Sequence, residues 1–307
     1  MTTFWKERWP APYHPLIERA FSEAEPDEIL ALDFDNTCVE GDTGELFHLH
    51  MSTHLGWNLA EFARHIAPSD GQSELLLAID RFQGGALDAR AELFRCLMDA
   101  FPRRMERTGP AATYAWSLTL HAGIREDAHR AHGRLMLERE ASLTRERVVI
   151  SRPRTGEAPL MIRRGVRSRP AFRALIQAAQ AEGIAPWVVS ATNQWTVEIA
   201  AEDFGIPPER VIGNRSRVVD GVITSEREGV TTYRDGKVEA LDRLGLRVAL
   251  AAGDSWSDVP MMERARYAIL VDRGDAELRA YGNERGWAVV PAEAFSSEAW
   301  GAHLGAR

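Results

Sequence analysis

Downstream of residue 170, short apolar runs and helical patterns alternate. A helix over 170–182 leads to the strand Trp187-Val188-Val189. Then follow a helix over 194–204, a strand at Arg210–Ile212, a hairpin over 217–224 around Asp220-Gly221 and a helix over 236–244. A strand at Val248–Ala251, a helix over 258–265 and a strand at Ala268–Val271 complete the pattern. Such alternation predicts a parallel sheet with helices on both faces. Near the start, Ile29-Leu30-Ala31-Leu32 is apolar throughout, as a strand covered on both faces must be. The expected fold is α/β, a Rossmann-like doubly wound parallel sheet.

Between that first strand and the alternating part, residues 45–145 carry helical signals and few β-branched runs. Asn58 with Glu61 resembles a capped helix start, and Leu59, Phe62, Ala63 and Ile66 form one face. Leu87, Phe94, Leu97, Met98 and Phe101 form a second stripe, read as packing. Val148-Val149-Ile150 and Leu160-Met161-Ile162 suggest a small hairpin turning at Arg154-Thr155-Gly156. The basic run Arg163, Arg164, Arg167, Arg169 reads as a solvated hinge before Pro170 opens the next helix. The expected domains are an α/β core at 1–45 and 165–307 and an inserted helical domain at 46–164. Residues 1–28 read as an arm with a short helix at Leu16–Phe21 that covers the core's flank.

A net charge of −8 argues against nucleic acid as a partner, which needs a broad basic face. No apolar run approaches the ~20 residues of a membrane span, and the Met1–Lys6 start lacks the pattern of a secretion signal. The expectation is a cytoplasmic protein with no membrane partner. Only Cys38 and Cys96 are present, too few for a disulfide framework, and Cys38 reads as packing. Of 37 basic residues only Lys6 and Lys237 are lysines. Where arginine otherwise serves as the cation, Lys237 needs a reason, because a compact ammonium is not replaced by a planar guanidinium.

Chemistry concentrates at the carboxyl ends of the predicted strands, where open α/β sheets bind ligands. The first strand ends in Asp33-Phe34-Asp35, with Thr37 two residues further on as a supporting hydroxyl. Two such charges ~4 Å apart at an effective dielectric of ~20 repel by roughly 4 kcal/mol, so a cation or a shared proton is required. Ser190-Ala191-Thr192-Asn193 offers a hydroxyl and amides to an anion as a helix begins. Lys237 opens a helix, and Gly253-Asp254-Ser255-Trp256-Ser257-Asp258 delivers two acids four residues apart. Alone, each segment is an ordinary cap or turn; their convergence on one sheet end makes a site. Together they fit Mg2+ with a phosphate beside it. Asp33 and Asp254 are the expected direct ligands, Asp35 adds its backbone carbonyl, and Asp258 holds a coordinated water or orients Lys237. An ionised Asp33 can attack phosphorus while a protonated Asp35 donates to the leaving oxygen.

These four segments, in this order and spacing, resemble the haloacid dehalogenase superfamily, with its D-x-D-x-T/V first motif and G-D-x-x-x-D last motif. The resemblance covers about 28–45 and 165–275, and the helical insertion is similar to the cap of the phosphoserine phosphatase-like branch. It implies a phosphatase working through an aspartyl-phosphate. Asp33 would be the nucleophile, Asp35 the general acid and then base, and Ser190, Ala191 and Lys237 the phosphate holders. Asp254 would complete the magnesium site. The expected substrate is a small, amine-bearing phosphate ester such as phosphoserine. Asp42 stands where that branch carries Glu, and Glu45 is nearby; either is a candidate amine contact. Trp195 and Trp256 are candidate ring faces for a quaternary ammonium, which would suit phosphocholine or phosphoethanolamine. A phosphotransferase and a noncatalytic sensor are the alternatives on the same fold. His48, His50 and His54 cluster, with His50 and His54 on one helix face as either metal ligands or ordinary polar residues. Arg103, Arg104 and the hinge arginines are candidate contacts to a substrate carboxylate. The oligomeric state is left open.

Overall fold

The computed structural model describes residues 4–54, 57–66, 72–85, 89–151 and 159–301. Its strands are β1 (Glu28–Leu32), β2 (Val39–Glu40), β3 (Glu146–Ser151), β4 (Leu160–Arg164), β5 (Arg167–Ser168), β6 (Ala185–Asn193), β7 (Val211–Val219), β8 (Val222–Glu228), β9 (Arg247–Gly253), β10 (Tyr267–Asp272), β11 (Ala288–Pro291) and β12 (Glu298–Ala299). The helices are α1 (His14–Ser22), α2 (Thr43–Thr53), α3 (Leu59–Ala63), α4 (Gln72–Gln83), α5 (Ala89–Leu118), α6 (Glu126–Ser142), α7 (Pro170–Ala181), α8 (Gln194–Glu202), α9 (Asp235–Arg243), α10 (Val259–Arg264) and α11 (Ala276–Glu284).

The main sheet has the order β11-β10-β9-β1-β6-β7-β8. β1 lies at its centre, parallel to both β6 and β9, and β10 is parallel to β9 and β11. All five residues of β1 are buried, which explains its unbroken apolar run. One face packs Ile29, Ala31, Val189, Val248, Ala251 and Leu270 against Met261 and Met262 of α10. Each fully buried aliphatic side chain contributes ~1.5–3 kcal/mol of hydrophobic free energy. A small antiparallel sheet, β12-β5-β2, ties the segment after the first acids to the segment before α7.

The chain divides into two compact units. The first comprises Met1–Asp42, Val166–Gly213 and Thr232–Arg307; the second comprises Thr43–Gly165 and Asn214–Thr231. The hairpin at 214–231 therefore groups with the helical unit and not, as expected, with the core. Hydrogen bonds explain this: Gly123 N donates to Ile223 O at 2.8 Å, Ile223 N to Ile124 O at 2.9 Å and Glu126 N to Gly221 O at 2.9 Å.

In the second unit Leu59, Phe62, Ile66, Phe94 and Leu97 are buried as their stripes predict. Leu87, the Glu61 side chain and the turn at 154–156 lie outside the described residues. α5 contains Pro102 and Pro110 and breaks at Gly109, whose φ of 76° is not helical. The basic run is not a solvated hinge, since only Arg163 is exposed. Arg164 donates through Nε to both carboxylate oxygens of buried Glu140, at 2.9 and 3.0 Å, and Gly165 N joins them at 2.8 Å. Cys38 and Cys96 are free and buried. Among the described residues, no helix is long and apolar enough to cross a membrane.

Candidate active site

All the motif segments lie in the first unit. Asp33 N continues the β1 ladder, donating to Ala252 O at 2.9 Å, so the acid leaves the sheet at its carboxyl end beside β9. The chain then turns tightly: Thr37, Cys38 and Val39 amides all donate to Phe34 O, and Asn36 takes a φ of 62°, which asparagine tolerates. Thr37 Oγ1 lies 2.9 Å from Asp33 Oδ2 and 3.3 Å from Asp254 Oδ1, linking the two acids expected to share a cation.

Lys237 is fully buried, a costly place for a charge unless it is paired. Its ammonium donates to Asp33 Oδ1 at 2.8 Å and to Asp258 Oδ1 at 2.6 Å. Burial alone would lower its pKa, but Asp258 and Asp33 outweigh that and hold it above the ordinary lysine value. The residue that delivers it, Arg234, adopts a φ of 52°, a strained conformation of the kind found at functional sites. Asp258 is an internal anchor. Its Oδ2 accepts from Asp254 N at 3.1 Å, Ser255 N at 3.0 Å and Ser255 Oγ at 2.9 Å. Gly253 is required beneath it, because a Cβ there would lie 2.4 Å from Asp258 Cβ.

Asp35 has different surroundings. It is half-buried, and its Oδ2 accepts from Thr192 Oγ1 at 2.6 Å. Thr192 N in turn donates to Ser190 Oγ at 3.1 Å, and Thr232 Oγ1 holds Ser190 O at 2.5 Å. The second motif is thus built around the second acid.

The site is short of positive charge. Asp33, Asp35, Asp254 and Asp258 carry four formal negatives, and Lys237 returns one. Arg273, on the loop after β10, returns another through Nη1, 2.6 Å from Asp254 Oδ2. With all four acids ionised the excess is two negative charges, and with Asp35 protonated it is one; either calls for a further cation. Burial and then Asp258 push Asp33 well above the usual carboxylate range despite Lys237. The same two causes push Asp254 up to about 6 despite Arg273. One carboxylate oxygen from each of Asp33, Asp254 and Asp258 falls within 4.8 Å of the others, a hard oxygen set that fits Mg2+.

The expected substrate contacts fare differently. Trp195 is fully buried and has no ring face open to a ligand, which corrects its assignment. Trp256 is braced, its Nε1 donating to Asp275 at 3.0 Å and its ring meeting Tyr281 edge-on at 5.3 Å. Asp42 is exposed, while Glu45 belongs to the second unit, in the first turn of α2. His50 on α2 and His54 just past its end stack at 4.2 Å, but His50 Nε2 is engaged with His132 at 3.2 Å. Among the described residues these histidines form no three-ligand metal group. Three contributors escaped the sequence. Thr192 lay inside a quoted motif. Arg273 follows a predicted strand, the same position that singled out the acids. Arg169, 4% exposed, donates from Nη1 to Asn36 O, to Thr37 O at 2.8 Å and to Val39 O at 3.2 Å, while its N holds Cys38 O at 3.1 Å.

A central parallel sheet with acids, a buried lysine and a hydroxyl gathered at one end of its strands defines an α/β protein whose candidate site lies at the carboxyl ends of the strands. The family model of haloacid dehalogenase-like hydrolases matches residues 115–263. A phosphoserine phosphatase of Mycobacterium tuberculosis is 30% identical over 109 residues, which are 34% of each chain. One of Halobacterium salinarum is 32% identical over 113 residues, 35% of this chain and 54% of that one. The chain thus aligns with only a third to a half of the length of these relatives. In fold, a protein of unknown function from Anaerococcus prevotii superposes with a TM-score of 0.75 at 18% identity, covering 96% of this chain and 97% of that one. The match to the haloacid dehalogenase-like hydrolase model spans just under half of the chain, and the curated relatives it resembles include phosphoserine phosphatases.

Proposed function

We propose that the protein is a magnesium-dependent phosphatase of small phosphomonoesters, working through an aspartyl-phosphate on Asp33. The observation that carries this is the division of labour between the two acids. Asp33 is buried, bonded to Lys237 and Thr37 and grouped with Asp254, whereas Asp35 stands apart on Thr192. Asp33 and Asp254, with the Asp35 carbonyl, would hold the cation. Bound there, it supplies Lewis-acid neutralisation of phosphoryl oxygens.

The remaining chemistry is the chain's own. An oxygen of Asp33 forms a bond to phosphorus as the bond to the leaving oxygen breaks, and Asp35 gives its proton to that oxygen. Water then attacks the phosphoryl group while Asp35 takes back a proton, restoring Asp33 and releasing inorganic phosphate. Lys237 would steady Asp33, and Ser190 with the amide of Ala191 would hold phosphoryl oxygens. The inserted helical unit would serve as a cap that limits access of bulk water.

The test is phosphate release from phosphoserine, phosphoethanolamine, phosphocholine and sugar phosphates, with Mg2+ or chelator, against Asp33→Asn. Chelator-sensitive release that disappears in the variant supports the proposal. Release that survives Asp33→Asn defeats the mechanism, and product appearing on an added alcohol would mark a transferase.

A further inference from the structure

We infer that Arg273 is a specificity-determining residue that selects phosphomonoesters whose alcohol carries a second anionic group. The inference rests on the proposed phosphatase site. Arg273 makes one hydrogen bond, Nη1 to Asp254 Oδ2, and its side chain is 50% exposed. Among the described residues its other N–H groups have no acceptor. An arginine carries five donors in a rigid fork matched to carboxylate and phosphate. One arm here is spent on an acid of the cation set; the others remain open to solvent beside it.

The loop that carries the fork is held from several sides. Gly274, with a φ of 99°, donates its N to Asp272 Oδ1 at 2.8 Å, and Asp272 Oδ2 takes Arg279 Nε at 2.5 Å. Asp275 caps α11, accepting from Glu277 N and Leu278 N at 3.0 Å each, and its other oxygen takes Trp256 Nε1. Trp256 comes from the Asp254–Asp258 loop, so the loop bearing Arg273 is fastened to the loop bearing the acids. A guanidinium fixed there attracts a carboxylate or second phosphate and repels a quaternary ammonium. The braced tryptophan therefore supports an anion site in place of the ammonium site for which the sequence nominated it.

The experiment uses Asp33→Asn protein with Mg2+, which binds without turnover, and calorimetric titration of matched ligands. Phosphoserine and phosphoethanolamine differ by one carboxylate. So do 3-phosphoglycerate and glycerol 1-phosphate, without an amine, and fructose 1,6-bisphosphate against fructose 6-phosphate supplies the second-phosphate arm. A charge-assisted pair predicts a preference of ~10-fold or more for the anion-bearing partner. That preference falls to within ~2-fold in D33N/R273Q, and R273K retains an intermediate ratio because it keeps the charge without the fork. A melting curve establishes that each variant is folded. An undiminished preference in D33N/R273Q, or none in D33N, overturns the inference. Turnover separates the two proposals: phosphate release by the wild type with equal affinities for matched ligands defeats the role of Arg273 alone. Anion-dependent binding without phosphate release defeats the phosphatase alone.

Discussion

Replacing Lys237 by methionine keeps nearly the same volume and removes only the charge. In the wild type the ammonium is fully buried and bonded at 2.8 Å to Asp33 and 2.6 Å to Asp258. Removing one partner of a buried ion pair costs ~3–5 kcal/mol, because the remaining charge is stranded. At ~2–4 °C per kcal/mol for a domain of ~150–250 residues, Lys237→Met should lower Tm by roughly 6–20 °C at pH 7. The loss has a particular pH dependence. Without the ammonium, Asp33 in the folded state is raised further above its unfolded value of ~3.9, so the folded protein keeps a proton that the unfolded chain releases. Stability then falls as pH rises through that window, by up to ~1.4 kcal/mol per unit, and is regained on acidification. Calorimetric scans of variant and wild type from pH 8 to pH 5, in chelator, measure the difference directly. A deficit below ~3 °C at pH 7, or one that widens as pH falls, would refute the account of Lys237 as counter-charge to buried acids.

Lys237→Arg preserves charge but adds bulk to a fully buried position, so it should lower phosphate release while costing only ~1–3 kcal/mol of stability; unchanged turnover counts against a specific need for lysine. Arg169→Met strands three carbonyls of the loop carrying Asp35, at ~1–3 kcal/mol for each buried unsatisfied group, and should cost at least ~3 kcal/mol in urea unfolding. Arg169→Lys, whose ammonium still has three donors, should recover much of that loss. In the second unit burial holds His129 down to about 3 and His121 well below its ordinary value, with His121 Nδ1 2.8 Å from His129 Nε2. Both stay neutral when folded and bind protons when unfolded, so stability is complete above pH ~6.5 and drops below it by up to ~1.4 kcal/mol per unit for each ring. Urea titrations at pH 7.5 and 5.5 check this, and equal midpoints would contradict it.

The acids, Lys237 and Gly253 were legible because each ends a strand or starts a helix, and a parallel sheet brings all such ends together whatever their separation in sequence. The apolar stripes of the inserted part were legible for a similar reason, since periodicity is a local property. What escaped depends on partners set by tertiary contact. The hairpin at 214–231 has ordinary strand patterning; only its bonds to Gly123, Ile124 and Glu126 assign it to the helical unit. Arg164 and Arg169 look like solvated charges until Glu140 and the carbonyls of 36–39 appear beside them. Trp195 and Trp256 were judged by nearness to motifs, although α8 is buried from Gln194 to Ala201 and takes Trp195 into the core with it.

The central position of β1 has a consequence for how the chain is made. Its neighbours β6 and β9 begin more than 150 and more than 200 residues later, at Ala185 and Arg247. At a synthesis rate of ~5–20 residues per second, the largely apolar β1 waits roughly 8–30 s with neither edge paired. Closing such distant contacts is intrinsically slow. A nascent chain stopped anywhere between β6 and β9 would present one paired and one bare edge of β1, the geometry that invites a second chain to add itself. Ribosome stalling or truncation in that interval should thus yield aggregates, and the same stretch is where a holdase chaperone would gain most by binding.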